Sequence, residues 1–139
     1  MKMPPSIPKE MLAPCGVNCQ ACSAHLAATG AASRCPGCRA PANTHKRKSC
    51  VNCAKKDCAF SQGLTWCFEC SRFPCSRIKS LNKRYIENYG IDLIQNGRSA
   101  QAGMDAFLQE QRKRFTCPHC GGAVGQHKKL CSECGKATE

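Results

Sequence analysis

Apolar residues recur at helical spacing in only one part of the chain. From Ile78 they fall at Leu81, Tyr85 and Tyr89, three to four residues apart, and Gly90 follows as a natural stop. A second helical pattern covers residues 99–114, with Met104, Phe107 and Leu108 on one face and Glu110 four residues before Arg114. Ile91, Leu93 and Ile94 lie in the connector between the two and are expected to pack against the metal-binding module. These stripes are read as core-facing rather than as a ligand groove. Before residue 76 the periodicity fades. An Ala-rich run to Thr29, closed by Gly30, predicts one short helix, but residues 14–75 are rich in Cys, Lys, Asn and Ser and poor in Leu, Ile and Val. A stretch of that composition cannot bury enough apolar surface to fold unaided.

Cysteine is what the stretch has instead. Eleven of the fifteen cysteines fall between Cys15 and Cys75. Most form knuckles, two thiols separated by two residues: Cys19/Cys22, Cys35/Cys38, Cys50/Cys53 and Cys67/Cys70, with Cys15, Cys58 and Cys75 standing beside them. Such a turn lets both sulfurs point at one tetrahedral ion, and two turns close a site. Structural zinc is worth on the order of 10 kcal/mol, enough to replace the missing core. One pairing joins Cys19/Cys22 with Cys35/Cys38 and Cys50/Cys53 with Cys67/Cys70; an interleaved pairing is equally allowed. His25, near Cys22, is the histidine best placed to complete a third site with the remaining thiols. The segments from Cys50 to Cys58 and from Cys67 to Cys75 share the pattern C-x2-C-x4-C, which suggests two similar half-sites. The basic loop over residues 39–49 is expected to be exposed.

Residues 115–139 read as a separate unit. Cys117-Pro118-His119-Cys120 and Cys131-Ser132-Glu133-Cys134-Gly135 are separated by ten residues, with Phe115 before the first knuckle and a glycine after each. That arrangement predicts a zinc ribbon. His119, His127 and His45 are assigned surface or supporting roles rather than ligation.

The first thirteen residues hold several prolines and no long apolar run, and are read as a flexible lead-in without an export signal. No membrane span is expected. A cytoplasmic chain keeps its thiols reduced, so metal ligation is preferred over disulfides. The formal charge of +12 treats every thiol as neutral. Ionising all fifteen and adding four divalent ions brings it to about +5, so much of the basicity balances metal centres. The surplus, at Lys46–Lys48, Lys55/Lys56, Arg112–Arg114 and Lys128/Lys129, with Trp66, Phe68 and Phe73 nearby in sequence, suits a nucleic-acid or protein partner. No catalytic triad, phosphate-cradling loop or dinucleotide fingerprint is present, and Glu69 and Asp57 are expected to face solvent or bond knuckle amides, so the chain is not expected to be an enzyme.

Cys15-Gly16-Val17-Asn18-Cys19-Gln20-Ala21-Cys22, then Cys35-Pro36-Gly37-Cys38-Arg39, then Cys67-Phe68-Glu69-Cys70-Ser71-Arg72-Phe73-Pro74-Cys75 resemble a cysteine-rich microbial family of unknown function, usually labelled zinc-binding, some of whose members continue into a similar ribbon. The resemblance covers residues 14–90 and implies no activity. The family's anaerobic bias, and the spacing of Cys15, Cys19 and Cys22, shared with radical S-adenosylmethionine enzymes, keep an iron–sulfur cluster in residues 15–75 as the alternative to zinc; metal buffering is a further one. A chain of this length cannot build the barrel such enzymes need. The expected architecture is a small metal-stabilised α+β protein: a flexible tail over 1–13, an irregular Cys-rich multi-site module over 14–75, two helices over 76–114 and the ribbon over 115–139.

Overall fold

A computed structural model describes residues 1–22, 25–26, 37–39 and 53–138. The helix expected before Gly30, most of the basic loop, and Cys35 and Cys50 lie outside them. Among the described residues the fold is small and mostly helical: α1 (Ala54–Ser61), α2 (Ser76–Tyr89), α3 (Leu93–Ala102) and α4 (Met104–Arg114), with single 3-10 turns at Lys9–Met11, Cys19–Ala21 and Cys67–Glu69. Strand pairing among them is confined to isolated antiparallel bridges, such as Thr116 with Ala123 and Val124 with Cys131. The α+β expectation therefore reduces to helices plus bridged turns.

Helix α2 follows the sequence pattern. Ile78 is buried, Leu81, Tyr85 and Tyr89 pack against the core, and Gly90 takes the left-handed conformation (φ 67°) that ends the helix. The second pattern does not hold as one helix. Residues 93–114 form two, broken at Gly103, whose backbone is extended. Leu93 and Ile94, expected in a connector, open α3, because the Asp92 carboxylate caps it by accepting the Gln95 N–H at 3.0 Å. The buried face of α3 is Leu93, Asn96, Gly97 and Ala100. Its spacing is helical, but only Leu93 is a large apolar residue, so a hydrophobic periodicity passes over it. Gly97 is small because the Phe73 ring lies where a Cβ would come within 3.0 Å of it.

The first thirteen residues are not a loose lead-in. Met3, Ile7, Leu12 and Ala13 are buried in the same core cluster as Val17, Leu26, Ile78, Leu93, Phe107 and Phe115. Met3 N–H donates to the Gly121 carbonyl and Ala123 N–H to the Met1 carbonyl, so the segment pairs with the C-terminal knuckle. The physical reason is that these apolar side chains have a helical surface to cover.

Buried amides hold the Cys-rich segment to this core. Asn18 donates to Gln111 Oε1 on α4 at 3.2 Å, its own Oδ1 caps the 3-10 turn at Gln20, and its carbonyl accepts from Gln126 Nε2 at 3.1 Å. Asn96 on α3 donates to the Gly16 carbonyl, and Asn82 on α2 bonds both Leu93 N–H and Asp92. Gly16 has φ 98°, and a Cβ there would stand 2.8 Å from the Leu93 carbonyl oxygen. Gly16→Ala is therefore expected to cost about 3 kcal/mol or more, from backbone strain plus the clash. Gly90→Ala has nothing within 4 Å of the new methyl and should cost about 1–2 kcal/mol. Thermal melts of the two variants check the order.

Candidate metal centre

The C-terminal unit is built from two turns that face each other. Cys117 N–H donates to the Gly122 carbonyl and Gly121 N–H to that of Cys117, which folds the first knuckle back on itself. Cys131 and Gly135 close the second in the same way, Gly135 N–H donating to the Cys131 carbonyl. Three backbone N–H groups then point at sulfur: His119 at Cys117, Gly122 at Cys120 and Glu133 at Cys131, each at 3.4 Å. N–H donors of this kind stabilise a thiolate and not a thiol.

The four sulfurs of Cys117, Cys120, Cys131 and Cys134 all lie within 4.8 Å of one another. Cys120 to Cys131 is 3.5 Å and Cys117 to Cys134 is 3.8 Å. A tetrahedron with metal–sulfur bonds of about 2.3 Å has edges of about 3.8 Å, so the set fits one ion without rearrangement. Its electrostatics divide the protons unevenly. Desolvation acts to raise Cys131, but the N–H groups of Cys134 and Glu133 and the thiols of Cys120 and Cys117 outweigh it and bring the group down to about 6. The Gly122 N–H favours the Cys120 thiolate, yet desolvation and its bonds to the other three sulfurs push it up to about 11. One charge is accommodated readily and the next is not, which is the balance a divalent ion reverses. His119, between the ligands in sequence, is exposed, and His127 bonds the Tyr85 hydroxyl at 3.1 Å.

The other described cysteines are not gathered so closely; among the described residues the C-terminal four are the group of His, Cys, Asp or Glu that meets this distance. None of the thirteen described thiols is in a disulfide. Cys38 N–H approaches Cys19 Sγ at 3.5 Å, and Cys19 is raised well above its ordinary value by its bond with the Cys38 thiol and by burial. Burial pushes Cys15 up to about 12 and Cys67 to about 11. Arg39 bonds the Leu12 carbonyl, lies over the Trp66 ring at 4.8 Å, and its buried Nη2 has no hydrogen-bond partner among the described residues. Burial acts against its charge, and negative charge on Cys19 or Cys38 would favour it. His25 lies 3.5 Å from the Gln20 side-chain amide.

Two readings of the sequence change here. The C-x2-C-x4-C copies are not alike: α1 begins directly after Cys53 and carries Cys58, whereas α2 waits until after Cys75. Pro74 explains the delay, since it lacks an N–H and disfavours helical backbone at Phe73. The aromatic trio is half-buried and already engaged within the fold. Trp66 stacks on Phe68 at 5.5 Å, donates to the Leu12 carbonyl and sits under Arg39, while Phe73 fills the notch at Gly97. Glu69, by contrast, accepts from the N–H groups of Thr65 and Trp66, both at 2.8 Å, as a knuckle brace.

Fold and site together define a small cysteine-rich protein with a four-cysteine cluster able to hold a metal ion. The model of a protein family of unknown function, DUF3795, matches residues 11–80, half of the chain, and the chain belongs to that family. The C-terminal cluster lies outside the matched region. No curated protein and no solved structure matches the chain. No helix among the described residues is long and apolar enough to cross a membrane.

Metal affinity at the C-terminal set should fall as pH is lowered, because each ligand must lose its proton. It should fall more steeply below about 6, where Cys131 is also protonated. Competition against a chromophoric chelator, taken as the difference between the unsubstituted chain and C131S, reads this. At Gly122 a Cβ would stand 2.7 Å from Cys131 Sγ, so Gly122→Ala should weaken binding roughly tenfold to a hundredfold in the same assay.

Proposed function

We propose that this is a non-catalytic zinc-binding protein whose Cys117, Cys120, Cys131 and Cys134 hold one zinc ion in a closed, ribbon-like structural site. The observation that carries the reading is the sulfur geometry: four thiols within 4.8 Å, at separations a zinc tetrathiolate needs, with N–H donors already on three of them. Four protein ligands leave no open coordination position, which supports a structural ion over a catalytic one.

The role that follows is to present a surface to a macromolecule in the cytoplasm. Leu130 is 44% exposed at the tip of the C-terminal unit, and Lys128, Lys129 and Lys136 around it are exposed, as are Lys113 and Arg114 at the end of α4. An exposed apolar residue ringed by positive charge suits an acidic protein surface or a nucleic-acid backbone. Trp66, Phe68 and Phe73 are half-buried against the core, so phosphate contacts are the main support for the nucleic-acid version.

Anaerobic purification followed by elemental analysis and a visible spectrum tests the metal. The expected sample is colourless and contains zinc, and Cys134→Ser loses one equivalent. A brown sample with iron and sulfide in stoichiometric amounts would replace this reading with the iron–sulfur one. Titrating salt against binding to single-stranded RNA tests the partner: phosphate contacts predict a steep loss of affinity, and no binding at low salt leaves the protein partner.

A further inference from the structure

Four thiols from three separate pieces of chain open on one small cavity. Cys58 comes from the middle of α1, Cys67 and Cys70 from the 3-10 turn at Cys67–Glu69, and Cys75 from the residue that precedes α2. The rest of the lining is almost wholly apolar, including Ala59, Leu64 and Ile78, and the cavity measures about 30 Å³. A cavity of that size is small and suits a single ion.

We infer that Cys58, Cys67, Cys70 and Cys75 are the four ligands of a second, separate centre that binds one thiophilic divalent ion such as zinc. The set cuts across both pairings of knuckles that spacing alone suggests, because it takes the third ligand of each C-x2-C-x4-C copy and leaves Cys53 out. It does not depend on the C-terminal centre.

Three features favour an ion over thiols that merely fill space. The Cys67/Cys70 turn repeats the C-x2-C spacing of the C-terminal knuckles. Cys70 N–H donates to the Cys67 carbonyl and closes the turn, as Gly121 N–H, donating to the Cys117 carbonyl, closes the first C-terminal knuckle. Charge is also provided for. Arg72 and Arg77 line a cleft with Cys58, Cys70 and Cys75, on the solvent side of the cavity. Four thiolates on a divalent ion carry a net charge of about −2, which two guanidinium groups offset.

The third feature is Gln62, one turn beyond Cys58 on the edge of α1. Its Nε2 donates to Cys58 Sγ at 3.2 Å, and its Oε1 accepts from Cys70 Sγ at 3.9 Å. The amide thus stands between Cys58 and Cys70, and the four sulfurs lie further apart than the C-terminal four. Gln62 is exposed, so its side chain can turn out to water when the ion enters. Binding then replaces two hydrogen bonds with four metal–sulfur bonds and releases four protons to solvent.

Cysteine footprinting of the full chain tests this without a substitution. Iodoacetamide followed by mass spectrometry should leave Cys58, Cys67, Cys70 and Cys75 unmodified in the metal-loaded protein. All four should become reactive together on chelation. Substitution tests the sharing. Cys58→Ser and Cys75→Ser should each lose one metal equivalent, and the double variant should lose no more than either. Cys58→Ser combined with C131S should lose two, which separates this centre from the C-terminal one. Alkylation of Cys58 or Cys75 in the loaded protein overturns the assignment. So does a C58S/C75S double variant that keeps its full metal complement or loses two equivalents, or a C53S variant that exposes Cys70.

Discussion

A chain segment without regular secondary structure must satisfy its backbone polar groups one at a time, and that constraint governs this protein. Residues 11–22 have a single 3-10 turn, yet nearly all of them are buried. The solution is a set of buried amides supplied largely by the helices and the C-terminal unit. Asn96 and Gln111 reach the segment from α3 and α4, Gln126 from beyond α4, and Asn18 returns the contact from inside. Each such bond costs little to make and much to break, because a buried donor left alone loses about 1–3 kcal/mol. The amides are thus fixed points that set where Cys15, Cys19 and Cys22 can lie.

Sulfur takes part in the same accounting at the two ends of the chain, with opposite electrostatic results. In the C-terminal unit the N–H donors and the Cys120 and Cys117 thiols together outweigh desolvation on Cys131, and its thiolate is favoured. In the Cys-rich segment burial dominates, so Cys15 and Cys67 hold their protons until something stronger than a backbone amide displaces them. Arg39 belongs to the second environment: its Nη2 is a buried donor with no partner among the described residues, and burial disfavours its charge while negative charge on Cys19 or Cys38 would favour it. A metal ion entering the first environment meets a ready site. One entering the second must also supply the energy of ionisation.

What the sequence disclosed follows from the same physics. The knuckles at Cys117/Cys120 and Cys131/Cys134 were legible because their geometry is local: the spacing fixes each turn, and the two turns need only meet. Helix α2 was legible because its buried face is apolar and its end is a glycine. Helix α3 was not, since Asn96, Gly97 and Ala100 are buried for hydrogen bonding and close approach rather than for hydrophobicity. The role of residues 1–13 escaped for a related reason. Met3, Ile7 and Leu12 are too far apart to show a period, and only the surface they cover explains them. Which thiols share a cavity depends on where α1 places Cys58 against the Cys67 turn, a long-range fact that spacing does not encode.

This arrangement also changes what metal is asked to do. Composition suggests that residues 14–75 have nothing but ions to fold around, but Val17, Ala21 and Leu26 sit in one core with the helices and with Met3 and Ile7. Apolar burial and the amide set position the chain, and the thiols converge within that frame. Stability and metal binding are then linked without being the same quantity. An ion bound there would contribute its binding energy to a partly organised site, and its loss would remove sulfur convergence before it removed the helical core. The C-terminal unit is the exception within the molecule: its own core is Cys117, Val124 and Cys131 with Cys120 against them, so two of its three buried members are candidate ligands. There, folding and coordination are nearly one event.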